Sequence, residues 1–86
     1  MKKIHKYPIA IGISLIQMPA GAKILTVHEQ HGSICIWAEI NTERKLVDVT
    51  FRVHGTGHEI IEVENSKYIG TVFMDNGYKV WHVYKG

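Results

Sequence analysis

Apolar and polar residues alternate with a period of two along most of the chain, most clearly at positions 47–54. There Val47, Val49, Phe51 and Val53 fall on one side and Asp48, Thr50, Arg52 and His54 on the other, as in a strand with one buried face. The same pattern returns at 34–40, where Ile34, Ile36, Ala38 and Ile40 share one face and Cys35, Trp37 and Glu39 the opposite one. A strand is predicted over 23–30, with Leu25 and Val27 on one side and Thr26 and His28 on the other. Two shorter strands precede it, 3–7 and 14–18, with Gly12 between them. Proline has no N–H to give a ladder, so Pro8 is read as closing the first. At the far end, 68–74 and 78–85 form two strands about Asp75-Asn76-Gly77, because Asn-Gly suits the positive φ of a hairpin turn.

Punctuation between these segments is strong. Met18-Pro19-Ala20-Gly21 and His31-Gly32-Ser33 both read as turns. Residues 59–67 interleave Glu59, Glu62 and Glu64 with Ile60, Ile61 and Val63, a pattern that fits a short strand or a single helical turn. No apolar stripe of helical period persists for ten residues, so little or no helix is expected. Six to seven strands at about ten-residue spacing predict an all-β fold, a small antiparallel sandwich or partly open barrel. It occupies 1–86 as a single domain.

Composition narrows the possibilities. Eighty-six residues bury roughly 60–65% of the unfolded surface, leaving one small core. A homodimer or higher oligomer is therefore expected, the more so because open sheets leave edges to be paired. The apolar stretch 9–18 follows Lys2, Lys3 and Lys6 in the manner of a signal peptide, but Pro8, Gly12 and Gln17 interrupt it. Its removal would take the first strands with it, so it is read as part of the fold. No run reaches the ~20 apolar residues of a membrane span. The single cysteine, Cys35, fits a reducing cytosol and a fold held by packing alone. Net charge is +2 with basic and acidic residues interspersed, which argues against DNA or RNA polymers as partners. A small phosphorylated ligand needs only two or three well-placed donors and stays open.

Candidate chemistry gathers at the exit of the long strand. Gly55-Thr56-Gly57-His58 is a glycine-flanked bend beside Arg52 and His54, and this combination can hold an anion. It is equally the tight exit of an ordinary strand with solvated neighbours. The six histidines form no metal-binding unit, since His54 and His58 share a face only in a helix and glycines 55 and 57 disfavour one. No metal and no cofactor is expected. Cys35 between two isoleucines reads as a packed hydrophobe, and no nucleophile, base and carboxylate come together. The expectation is a protein without catalytic activity. Trp37 and Trp81 are ordinarily core or subunit-interface residues, but Tyr68, Trp81 and Tyr84 can also supply the stacking platform of a nucleotide. Arg52, His54, Gly55, Thr56, Gly57, His58, Tyr68, Trp81 and Tyr84 are thus the candidate ligand-binding residues.

His5-Lys6-Tyr7-Pro8, Met18-Pro19-Ala20-Gly21-Ala22-Lys23-Ile24-Leu25, Gln30-His31-Gly32, Trp37-Ala38, the run 51–60 and Tyr68-Ile69-Gly70-Thr71 follow one another in order. Together they resemble a widespread family of short phage- and prophage-encoded proteins of unassigned function. The resemblance spans nearly the whole chain. It implies an accessory role in the cytosol of an infected bacterial host. One such role is an anti-defence sponge, an oligomer that sequesters a cyclic oligonucleotide or cyclic ADP-ribose signal without cleaving it. The alternative is an interaction protein that blocks a host protein, or a minor virion or assembly component, using an exposed edge or aromatic patch.

Overall fold

Positive φ at His31 (51°) and Gly32 (82°) reverses the chain within two residues, joining β3 (Lys23–Gln30) to β4 (Ser33–Asn41). Left-handed backbone at both central positions is what lets so short a loop follow the twist of its strands. The Glu29 carboxylate accepts from the Gly32 N–H and holds the turn. The computed structural model describes residues 1–86. Within it β1 (Lys2–Ile9) pairs with the other edge of β4, giving a three-stranded sheet ordered β1-β4-β3.

The second sheet has four strands, ordered β2-β5-β7-β6, from β2 (Gly12–Pro19), β5 (Leu46–Gly55), β6 (Lys67–Met74) and β7 (Lys79–Lys85). Every pairing is antiparallel, and no ladder joins the two sheets. The fold is therefore an all-β sandwich rather than a closed barrel. Its core is the inner half of each alternation: Ile34, Ile36, Ala38 and Ile40 from β4 lie with Phe51 and Val53, Val72, Val83 and Met18. Each large side chain so buried contributes about 1.5–3 kcal/mol. No helix is long and apolar enough to cross a membrane.

Four local features differ from the sequence reading. Strand β1 does not stop at Tyr7 but runs through Pro8, which pairs with Cys35; an edge strand tolerates proline because one of its sides makes no ladder bonds. Leu25 and Val27 do not share a face. A register shift between Ile24 and Thr26 leaves Leu25 exposed while Val27 is buried, the effect of one extra residue in a bulged strand. Tyr78 belongs to the loop, since Met74 and Lys79 close the last hairpin and Asp75, Asn76 and Gly77 all have positive φ. Residues 59–66 form neither strand nor helical turn, and Lys67 begins β6.

One side of the sandwich closes by packing between β3 and β6. Gly70 makes this approach possible: a Cβ there would lie 2.8 Å from Cγ1 of Val27, well inside van der Waals contact. Val27 is β-branched and has little rotamer freedom to yield. Gly70→Ala is expected to lose about 1–3 kcal/mol of stability by overpacking, measured by urea unfolding. In the double variant with Val27→Ala the cost of the added methyl group should largely disappear.

Candidate functional site

Strands β5 and β6 both pair antiparallel with β7, which lies between them, so they run in the same direction. The chain must therefore travel the length of the sheet between them, and residues 56–66 make that passage. Part of this strap bounds a hollow of about 690 Å³ lined by Ile60, Ile61, Glu62, Val63, Glu64, Ser66 and Tyr84.

Register decides which side chains meet around Tyr84, the one strand residue that lines the hollow. Residues opposite one another across an antiparallel pair point to the same face. One row across the sheet is Arg52, Tyr84 and Tyr68; the next is His54, His82 and Thr71. All six lie on the face turned away from the core. The Tyr68 and Tyr84 rings meet edge to face at 5.6 Å between centroids, and His54 meets Tyr84 at 5.9 Å.

Hydroxyls bracket His82. Its Nδ1 lies 3.0 Å from Thr71 Oγ1, its Nε2 lies 2.7 Å from Thr56 Oγ1, and the Tyr68 hydroxyl bonds to Thr71 in turn. A neutral imidazole donates from one nitrogen and accepts at the other, and hydroxyl groups can serve either. His54 is different: its Nε2 is shielded from solvent and has no hydrogen-bond partner. Such a group carries a cost of about 1–3 kcal/mol. Arg52 donates from Nε to the Gly86 carbonyl at 3.2 Å. No Asp or Glu side chain pairs with it, the one salt bridge being that of the Met1 amino group with Glu43.

Apart from Thr56, the glycine-flanked bend lies away from these rows. Gly55 pairs with Trp81 on the inward face, and the His58 ring folds over Gly55, where a Cβ would come within 2.7 Å of it. His58 also meets Trp81 at 6.4 Å. Two amides of the bend are already used, Thr56 N–H by Val80 O at 3.3 Å and His58 N–H by Gly55 O at 3.1 Å. A shallow hollow of about 210 Å³ adjoins this end, with Lys79 in its wall.

The nine candidate residues therefore divide. Arg52, His54, Thr56, Tyr68 and Tyr84 converge on the outer face, whereas Gly55, Gly57, His58 and Trp81 form the end of the sheet, Trp81 packing against the core. His82 and Thr71, which link the first group, were not among the candidates. Their signal was present in the alternation of 78–84 and 68–74, but only the register shows that they are neighbours. No cluster of three or more His, Cys, Asp or Glu is placed to hold a metal ion.

Fold and face together define a class: an antiparallel β-sandwich whose larger sheet carries an aromatic and histidine-rich outer surface beside a crossing strap. The chain belongs to the family described as a domain of unknown function, DUF7352, whose match extends over residues 1–86. No curated protein and no solved structure matches it.

Two glycines of the bend serve different ends, and substitution separates them. Gly55→Ala is expected to push the exposed His58 ring aside, at a cost of about 1 kcal/mol or less. Gly57 has φ 83°, so Gly57→Val should lose about 1–2 kcal/mol through backbone strain. Adding His58→Ala should restore most of the first loss and none of the second, as read by thermal unfolding of single and double variants.

Proposed function

We propose that the chain is a noncatalytic binder of a small phosphorylated nucleotide signal, of the cyclic oligonucleotide or cyclic ADP-ribose kind, which it sequesters on the outer face of the larger sheet. The observation that carries this reading is the row Arg52, Tyr84 and Tyr68, in which a guanidinium with no Asp or Glu partner stands in line with two aromatic rings, one of which, Tyr84, lines the hollow. A volume of about 690 Å³ is of the size that small-molecule sites have. Charge fixes the orientation of the ligand. Glu62 and Glu64 in the strap wall repel phosphate, so the base belongs in the hollow and the phosphate at Arg52, on the other side of Tyr84.

Binding without turnover suits the same groups. His82 is engaged at both ring nitrogens by hydroxyls, an arrangement that positions the ring within its row. Sequestration asks only for tight retention, about 12 kcal/mol for a nanomolar complex. In this reading the chain is phage-encoded and acts against a nucleotide-signalled defence in the host cytosol. The likeness of its sequence blocks to short phage proteins supports that setting.

Titration calorimetry against a panel of cyclic nucleotides tests the proposal. One member is expected to bind, and to be recovered intact after heat denaturation of the complex. Arg52→Ala should keep the fold and weaken binding by about 2 kcal/mol, the worth of a charge-assisted contact. Glu62→Gln with Glu64→Gln should tighten it. Absence of heat with every nucleotide, from folded protein, overturns the reading, and turnover of the bound ligand overturns its noncatalytic part.

A further inference from the structure

Four strands lie at sheet edges, and three are protected against pairing with another chain. Strand β1 carries Lys2, Lys3, Lys6 and Pro8, residues that blunt an edge. Strands β3 and β6 each contain a register shift and pack against one another. Strand β2 has no lysine and no register shift, and its one proline, Pro19, is its last residue. Its eight residues include no charge, and its register with β5 is unbroken from Gly12 opposite Val53 to Pro19 opposite Leu46. On the outer face it holds Ile13 at 66% and Leu15 at 65% exposure.

We propose that β2 is a self-association edge, on which two copies of the chain pair antiparallel about a twofold axis at Ser14. The strand is complementary to itself. Rotation about Ser14 sets Ile13 of one copy opposite Leu15 of the other, twice, on the same face of the joined sheet. Close apolar pairs of this kind stabilise neighbouring strands. An isologous contact also brings like residues together, and an uncharged strand meets its own copy without repulsion. Lysines on β1 would confront their own copies and exclude that edge. The product is one eight-stranded sheet, ordered β6-β7-β5-β2-β2-β5-β7-β6, with both strap-covered faces on the same side. This pairing stands independently of any ligand.

Sedimentation of the full chain from about 1 µM to 1 mM is expected to show a monomer–dimer equilibrium. Ile13→Lys and Leu15→Lys place like charges across the axis and should raise the dissociation constant on the order of a hundredfold. Ile4→Lys should leave it unchanged, because Ile4 is as exposed (62%) but lies on β1. Circular dichroism checks that each variant is folded. Hydrogen exchange of the unmodified chain supplies the readout that no substitution can confound: amide protection within 12–16, the span that the axis at Ser14 pairs with itself, should rise with protein concentration. A chain that stays monomeric throughout, a dimer that survives Ile13→Lys, or concentration-dependent protection in β1 rather than β2 would overturn the proposal.

Discussion

The position of β7 between two strands that run the same way is the constraint on which the rest of this molecule depends. Had β6 followed β5 as its direct neighbour, a short hairpin would have joined them. Instead β7 pairs with both, and parallel strands cannot be joined without a crossover. The strap 56–66 exists for that reason. The hollow beside Tyr84 is therefore a by-product of strand order: what the chain needs in order to connect β5 to β6 also builds a wall against the outer face of the sheet.

The same alternation that makes the core makes that face. Phe51, Val53, Val72 and Val83 are buried, and the residues between them, Arg52, His54, Thr71, His82 and Tyr84, point the other way. A slip of one residue in β7 would turn Val83 outward and drive His82 into the core, so hydrophobic burial fixes the geometry of the polar rows. One deviation is built in. The register shift between Tyr68 and Gly70 keeps Tyr68 opposite Tyr84 while bringing Gly70, the residue that admits Val27, to the inner face. Site and sheet–sheet closure thus share one bulge.

Much of the fold was legible because its signals are local. The alternations of 34–40 and 47–54 and the His31-Gly32 turn each depend on residues within a few positions of one another. Pro8 misled because its missing N–H matters only if both sides of a strand are paired, and edge status is a property of the sheet, not of the segment. Leu25 misled because a bulge is invisible to a count by twos. Of the site, Arg52, His54, Tyr68 and Tyr84 could be found as residue types. That His54 faces His82, and that the bend 55–58 turns its ring toward Trp81, depends on pairings among three strands, which no single segment encodes. The glycines of the bend drew notice for the space they open, yet at Gly55 a histidine already fills that space.

How firmly the strap is held differs along its length, and the difference falls where the hollow is. Its start is tied by the amides of Thr56 and His58, and its end by the Ser66 amide to the Val63 carbonyl at 3.1 Å. Between them the backbone from 59 to 62 makes no backbone hydrogen bond, and Ile61 is 74% exposed. A segment with few bonds and little buried apolar surface opens at low free-energy cost compared with the strands it spans. The floor is the opposite: Tyr84 stands on β7, the strand paired on both sides, and His82 beside it is fixed through both ring nitrogens. The hollow thus lies between a loosely held wall and a firmly held one at Tyr84. That division follows from the strand order alone, since a crossing connection is bonded where it leaves and rejoins the sheet and has no ladder partner in between.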